Sequence, residues 1–147
     1  EVVRRGTCAR TNRFVLLAHL NQWDDVSSQV RYVRSLQRLQ EHEGRITAEL
    51  MQGFSMDHEN GPGPNSICRH SRRYADETSL STAVMEIDAA QPERSRIHIA
   101  LGKPCVAWRE PQSRLTLEMT TEPEDIPAGF VDGSVFKKFY AEEAPGV

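Results

Sequence analysis

Residues 78–101, TSLSTAVMEIDAAQPERSRIHIAL, decide the fold class. In the first half Ala83, Met85 and Ile87 alternate with Thr82, Val84 and Glu86; in the second half Ile97, Ile99 and Leu101 repeat every two residues. A period of two is the signature of a strand with one apolar face. The intervening AAQPERS is turn-forming, so the two strands are expected to pair as an antiparallel hairpin with a long loop. Downstream, GKPCVAW breaks the ladder because Pro104 has no N–H to donate. SRLTLEM then places Leu115, Leu117 and Met119 on one face of a third strand.

Upstream of this sheet the period changes. QVRYVRSLQRLQEHEG, residues 29–44, carries Val30, Val33, Leu36 and Leu39 at helical spacing with arginines between them. Ser27 or Ser28 is the expected N-cap, and Gly44 stands where a glycine ends a helix. A second helix is expected over 46–56, capped by Thr47, with Ile46, Leu50, Met51 and Phe54 inward. Before both helices, NRFVLLAHL (12–20) has the length of a buried strand. After Thr120 the chain is rich in Pro, Gly and acid and reads as an irregular tail over 120–147, with one short helix at 134–141. Segregated helices and antiparallel strands define an α+β fold, with residues 1–119 as the domain. So small a sheet is marginal alone, which implies that it joins a larger one.

The 147 residues suffice for one domain with a core. A net charge of −3 gives no reason to expect nucleic acid or an anionic membrane as partner. No apolar run approaches the roughly 20 residues of a membrane span, and the N-terminal stretch lacks the apolar core of a secretory signal. Cys8, Cys68 and Cys105 form no Cys-x-x-Cys pair. They read as reduced thiols of an intracellular protein, without a disulfide framework or a zinc site. His42, His58 and His98 show no ligand spacing and read as surface or capping residues, so no metal and no cofactor is expected.

Two segments carry candidate chemistry. In ENGPGPNSICRHSRRY (59–74) the Gly-Pro run forbids regular structure and is followed at once by Ser66, Cys68, Arg69 and His70. An arginine after a rigid turn presents a fixed fork of donors to a carboxylate or oxyanion, and Ser66 adds a hydroxyl. The plainer alternative is a solvated basic patch of Arg69, His70, Arg72 and Arg73. In HLNQWDD (19–25), His19, Asn21 and Asp24 follow the first apolar run, and Asn21 offers an amide of the kind used in oxyanion holes; otherwise these residues shape a turn. A nucleophilic role for Cys8 lacks a surrounding Cys/His motif, and Cys68 and Cys105 read as packed thiols.

MDHENGPGPNSICRH, followed by TSLSTAVMEID and RIHIALGKPC, resembles the C-terminal half of the acyl-coenzyme A:6-aminopenicillanate acyltransferase-like family of N-terminal-nucleophile hydrolases. The likeness covers roughly residues 13–119. It rests on Asp57-His58, Ser66-Ile67-Cys68-Arg69 and Gly102-Lys103-Pro104 in that order, and on His19-Leu20-Asn21-Gln22, which matches in part. The resemblance implies a four-layer αββα sandwich and cleavage or transfer at a small acyl amide or acyl thioester, with acyl-coenzyme A as a candidate substrate. It also implies catalytic roles for Asn21 and Arg69, and substrate contacts for Ser66 and His19. The family's nucleophile is a cysteine at the start of the catalytic chain, well upstream of the Asn and Arg segments. Cys8 lies too close to Asn21 for that, and the chain's first residues read as the product of a cleaved precursor or a trimmed chain. The nucleophile is therefore expected from a second polypeptide. The alternative is a non-catalytic ligand-binding or structural module of the same fold.

Overall fold

The computed structural model describes residues 6–12, 26–70, 78–135 and 137. Helices α1 (Val26–Glu41) and α2 (Ala48–Ser55) precede strands β1 (Ser81–Glu86) and β2 (Arg96–Leu101), the short helix α3 (Pro104–Ala107), strand β3 (Arg114–Glu118) and the short helix α4 (Ala128–Val131). The fold is α+β, with one antiparallel sheet in the order β1-β2-β3. The strand expected over 12–20 falls almost wholly outside the described residues, as does most of the helix expected at 134–141.

Local chemistry accounts for the element boundaries. The hydroxyl of Thr47 accepts the Leu50 N–H at 3.3 Å, which caps α2 as its sequence predicts. Gly44 adopts φ +77°, the left-handed conformation that closes the turn after α1 at least cost for a glycine. Pro104 occupies the first turn of α3, where its missing N–H costs nothing. Helix α1 departs from its expected cap. Ser27 and Ser28 lie within the helix, where the Ser28 hydroxyl bonds Thr11 Oγ1 at 2.9 Å and the Ser27 hydroxyl donates to the Pro64 carbonyl at 2.5 Å. Its inner stripe is also rotated from the expected one. Ser28, Arg31 and Leu39 are buried, with Tyr32 and Leu36 packed beside Leu39, while Val33 is 59% exposed.

The hairpin register pairs Ala83 with Ile99 and Ile99 with Leu115, then Met85 with Ile97 and Ile97 with Leu117. These apolar residues therefore share one face of the sheet. The opposite face carries Val84 and Ala100, and it is this face that forms the core. Val84 and Ala100 pack with Ala48 of α2 and with Ala107 and Trp108 at α3. A second cluster, Ala9, Leu39 and Phe54, joins α1 to α2. By alternation Ala83, Met85 and Ile87 form the more apolar side of the first strand. Met85 and Ile87 are instead 65% and 80% exposed, and Ile97, Ile99, Leu115 and Leu117 are only half-buried. The helices cover the face whose residues are small enough to admit the Trp108 indole. That indole donates to Ser55 Oγ at 2.9 Å and so locks α3 to the end of α2.

Candidate functional site

The site grows from the end of α2. The Met56 and Asp57 N–H groups bond the Gly53 and Phe54 carbonyls, each at 3.1 Å, and terminate the helix. Asp57 is then gripped from α1. Arg34 Nε and Nη2 lie 3.0 and 2.7 Å from the same Asp57 oxygen, Oδ2. Burial alone would push the Asp57 carboxyl up. The Arg34 hydrogen bond and the Glu59 N–H outweigh it and hold the carboxyl below its usual range. The Cys68 N–H returns to the Asp57 carbonyl at 3.1 Å, so the Gly-Pro segment is a closed loop with both ends tied together.

Within that loop Ser66 is fully buried, and its hydroxyl donates to the Gly61 carbonyl. Its observed role is to hold the loop, not to face an open site. Arg69 is anchored through its backbone: its N–H bonds Ser79 Oγ at 2.9 Å, and its carbonyl accepts the Ser79 N–H and the Thr78 hydroxyl, each at 3.1 Å. Its Nε and Nη2 are shielded from solvent, which disfavours a solvated basic patch at this position. His19 and Asn21 lie outside the described residues, so the expected meeting of Asn21 with Arg69 has no structural account.

The structure brings together a group that spacing did not reveal. The ligand atoms of His58, Cys68, His70 and Cys105 all lie within 4.8 Å of one another. His70 Nε2 stands 3.1 Å from His58 Nε2, 3.5 Å from Cys68 Sγ and 3.2 Å from Cys105 Sγ. The two imidazoles meet edge to face, with centroids 4.8 Å apart at 73°. Cys68 is fully buried, Cys105 is half-buried, and both are free thiols. Burial holds the Cys68 thiol far above its ordinary value, up to about 12. His58 thus departs from the expected surface role. His42 and His98 keep simpler roles: His42 bonds the Arg38 carbonyl at 3.0 Å near the end of α1, and His98 bridges Glu86 and Thr116 across the sheet at 2.7 and 3.0 Å.

One signal for this cluster was present in the chain. Cys68 and His70 are two apart in a non-helical segment, a spacing that turns both side chains to the same side. His58 and Cys105 lie ten residues before Cys68 and thirty-five after His70, and only the fold joins them. Elsewhere, a cleft of about 240 Å³ opens between the helices and β1, lined by Cys8, Arg10, Ser35, Ser55, Ile67 and Ala83 among others. Cys8 is exposed there. No helix among the described residues is long and apolar enough to cross a membrane. Compared with protein-family models, curated proteins and solved structures, the chain matches none of them.

Proposed function

We propose that this chain is part of a cysteine acyltransferase or amidohydrolase of the N-terminal-nucleophile type, acting on a small acyl amide or acyl thioester and completed by a second polypeptide. The observation that carries the reading is the two-sided sheet. One face is packed by helices, and the other presents Met85, Ile97, Ile99, Leu115 and Leu117, half-buried or exposed. A sheet with apolar residues on both faces calls for a layer on each. A second sheet on the uncovered face would complete an αββα sandwich.

In this reading a thiolate from the completing polypeptide attacks the acyl carbon. The electron pair of the C=O moves onto oxygen and then returns, expelling the amine or thiol, which takes up the proton that the attacking thiol gave to its own α-amine; water or an acceptor amine then attacks the thioester and releases the thiol, which regains a proton. Arg69 contributes positive charge where the oxyanion develops, and Asn21 contributes an amide N–H. His19 contacts the substrate. The anchored backbone of Arg69 supports a positioning of this kind, because a preorganised donor pays its ordering cost in folding rather than in the reaction.

The test is turnover of small N-acyl amides and acyl-coenzyme A thioesters by the intact protein with its completing chain, together with mass detection of a thioester-linked acyl-enzyme. Arg69→Ala is expected to lower kcat/KM by about 100-fold with the circular dichroism spectrum unchanged. Wild-type turnover in that variant would remove the arginine from the reaction. Cys8→Ser addresses the source of the thiol, since Cys8 is exposed beside the cleft: retained activity places the nucleophile on the other chain, and lost activity places it at Cys8. A second reading, a ligand-binding or structural module without catalysis, is favoured by the consumption of the Ser66 hydroxyl within its own loop. It prevails if no substrate yields an acyl-enzyme.

A further inference from the structure

We propose that His58, Cys68, His70 and Cys105 together bind one zinc ion in a closed, tetrahedral, structural site. This goes beyond the acyl-transfer reading and does not depend on it.

Hydrogen bonding does not account for the crowding at His70 Nε2. A neutral imidazole nitrogen carries either one proton or one lone pair, so it makes one good hydrogen bond. His70 Nε2 has three polar neighbours at 3.1–3.5 Å: a second imidazole nitrogen and two sulfurs. At most one of those contacts is satisfied by a proton. Around a cation the same crowding is natural, because each ligand directs a lone pair at a common centre and none needs the others.

The separations around His70 fit a zinc tetrahedron, and the whole group, whose ligand atoms spread over up to 4.8 Å against edges of about 3.3–3.8 Å, would draw together on binding. With Zn–N of about 2.0–2.1 Å and Zn–S of about 2.3 Å, the edges of a tetrahedron are about 3.3 Å between nitrogens and about 3.5 Å between nitrogen and sulfur. The observed N–N separation is 3.1 Å and the N–S separations are 3.5 and 3.2 Å. Two thiolates neutralise a divalent cation, so the occupied site carries no net charge, which suits a site built around the buried Cys68. The mixed nitrogen and sulfur donor set selects zinc over the hard cations, and four protein ligands leave no position open for substrate or water.

Such an ion would clasp three segments: the turn after α2 through His58, the Gly-Pro loop through Cys68 and His70, and the start of α3 through Cys105. Arg69 lies between two of the ligands, so the metal would hold the loop that carries it.

The experiment is metal analysis of the intact protein, purified without chelator from zinc-supplemented medium. The expected result is one zinc per chain, falling at least about tenfold in Cys105→Ser and in His58→Gln. Chelation is expected to lower the wild-type Tm by about 5 °C or more, with recovery on adding zinc alone. Should the variants fail to fold, cobalt substitution of the wild-type protein decides: a thiolate-to-cobalt charge-transfer band with tetrahedral d–d bands supports the site. Zinc below about a tenth of an equivalent with a Tm indifferent to chelation overturns it. So does a Cys68–Cys105 disulfide in the purified protein, wild-type zinc in both variants, or an octahedral cobalt spectrum.

Discussion

Arg34 on α1 places two guanidinium nitrogens, at 3.0 and 2.7 Å, on one oxygen of Asp57, the residue that ends the turn after α2. Both side chains are nearly buried, at 12% and 9% exposure. Through this pair α1 controls the entry to the Gly-Pro loop, because the Asp57 carbonyl in turn receives the Cys68 N–H.

Arg34→Met is therefore expected to destabilise the fold by about 1–3 kcal/mol, since it removes both charged hydrogen bonds from a largely buried carboxylate and leaves it only Arg38 at 3.9 Å as a cationic neighbour. The pH dependence follows from the lowered Asp57 carboxyl. Its folded value lies below the unfolded value, so the stabilisation is full above the unfolded value, about pH 3.9, and is lost as pH falls through the folded one. Thermal melts of chelator-treated protein across the acid range should show a shallower acid limb in Arg34→Met than in wild type. Parallel limbs would show that Asp57 gains nothing from Arg34.

Val84 and Met85 are neighbours on β1 with opposite fates, and the pair tests which face is the core. Val84→Ala removes two methyl groups from a buried site against Trp108 and is expected to cost about 1–3 kcal/mol. Met85→Ala, at a position 65% exposed, should change stability by no more than about 0.5 kcal/mol in the isolated chain. Denaturant midpoints measure both. If the uncovered face receives a second sheet, Met85→Glu will weaken that association while leaving the midpoint of the chain alone nearly unchanged. A large loss at Met85 in the isolated chain would place the core on the other face.

The Trp108 indole N–H has its partner in Ser55 Oγ at 2.9 Å, and the Ser55 hydroxyl proton goes to the Gln52 carbonyl at 2.6 Å. Ser55→Ala removes the acceptor and strands a buried donor, at an expected cost of about 1–2 kcal/mol. The tryptophan emission should shift as the ring seeks water. An unchanged spectrum and midpoint would mean that the ring finds another acceptor without moving.

Local rules were enough for the elements themselves. Alternation at Ile97, Ile99, Leu115 and Leu117 marks strands, Thr47 and Gly44 mark helix ends, and Pro104 marks the end of the ladder, because each acts through backbone geometry within a few residues. The choice of face was not local. Val84 and Ala100 are the smaller set, and by apolar content the sequence favours the other face. They became core because α2 and Trp108 need a shallow surface to approach, a condition that exists only once those elements pack. The inner stripe of α1 turned for the same reason, with Ser28 and Arg31 buried in place of Val33 because polar partners at Thr11, Asn12 and Ser27 await them.

The chain by itself determined a loop that delivers Cys68, Arg69 and His70 together, since the Gly-Pro run prevents helix and strand and the two-residue spacing sets the side chains of the first and last on one side. It did not determine what they meet. His58 and Cys105 reach that point because the turn after α2 and the start of α3 lie side by side, joined by Trp108 and Ser55. Convergence of donors from distant positions depends on how elements pack, and no period or spacing along the chain records it.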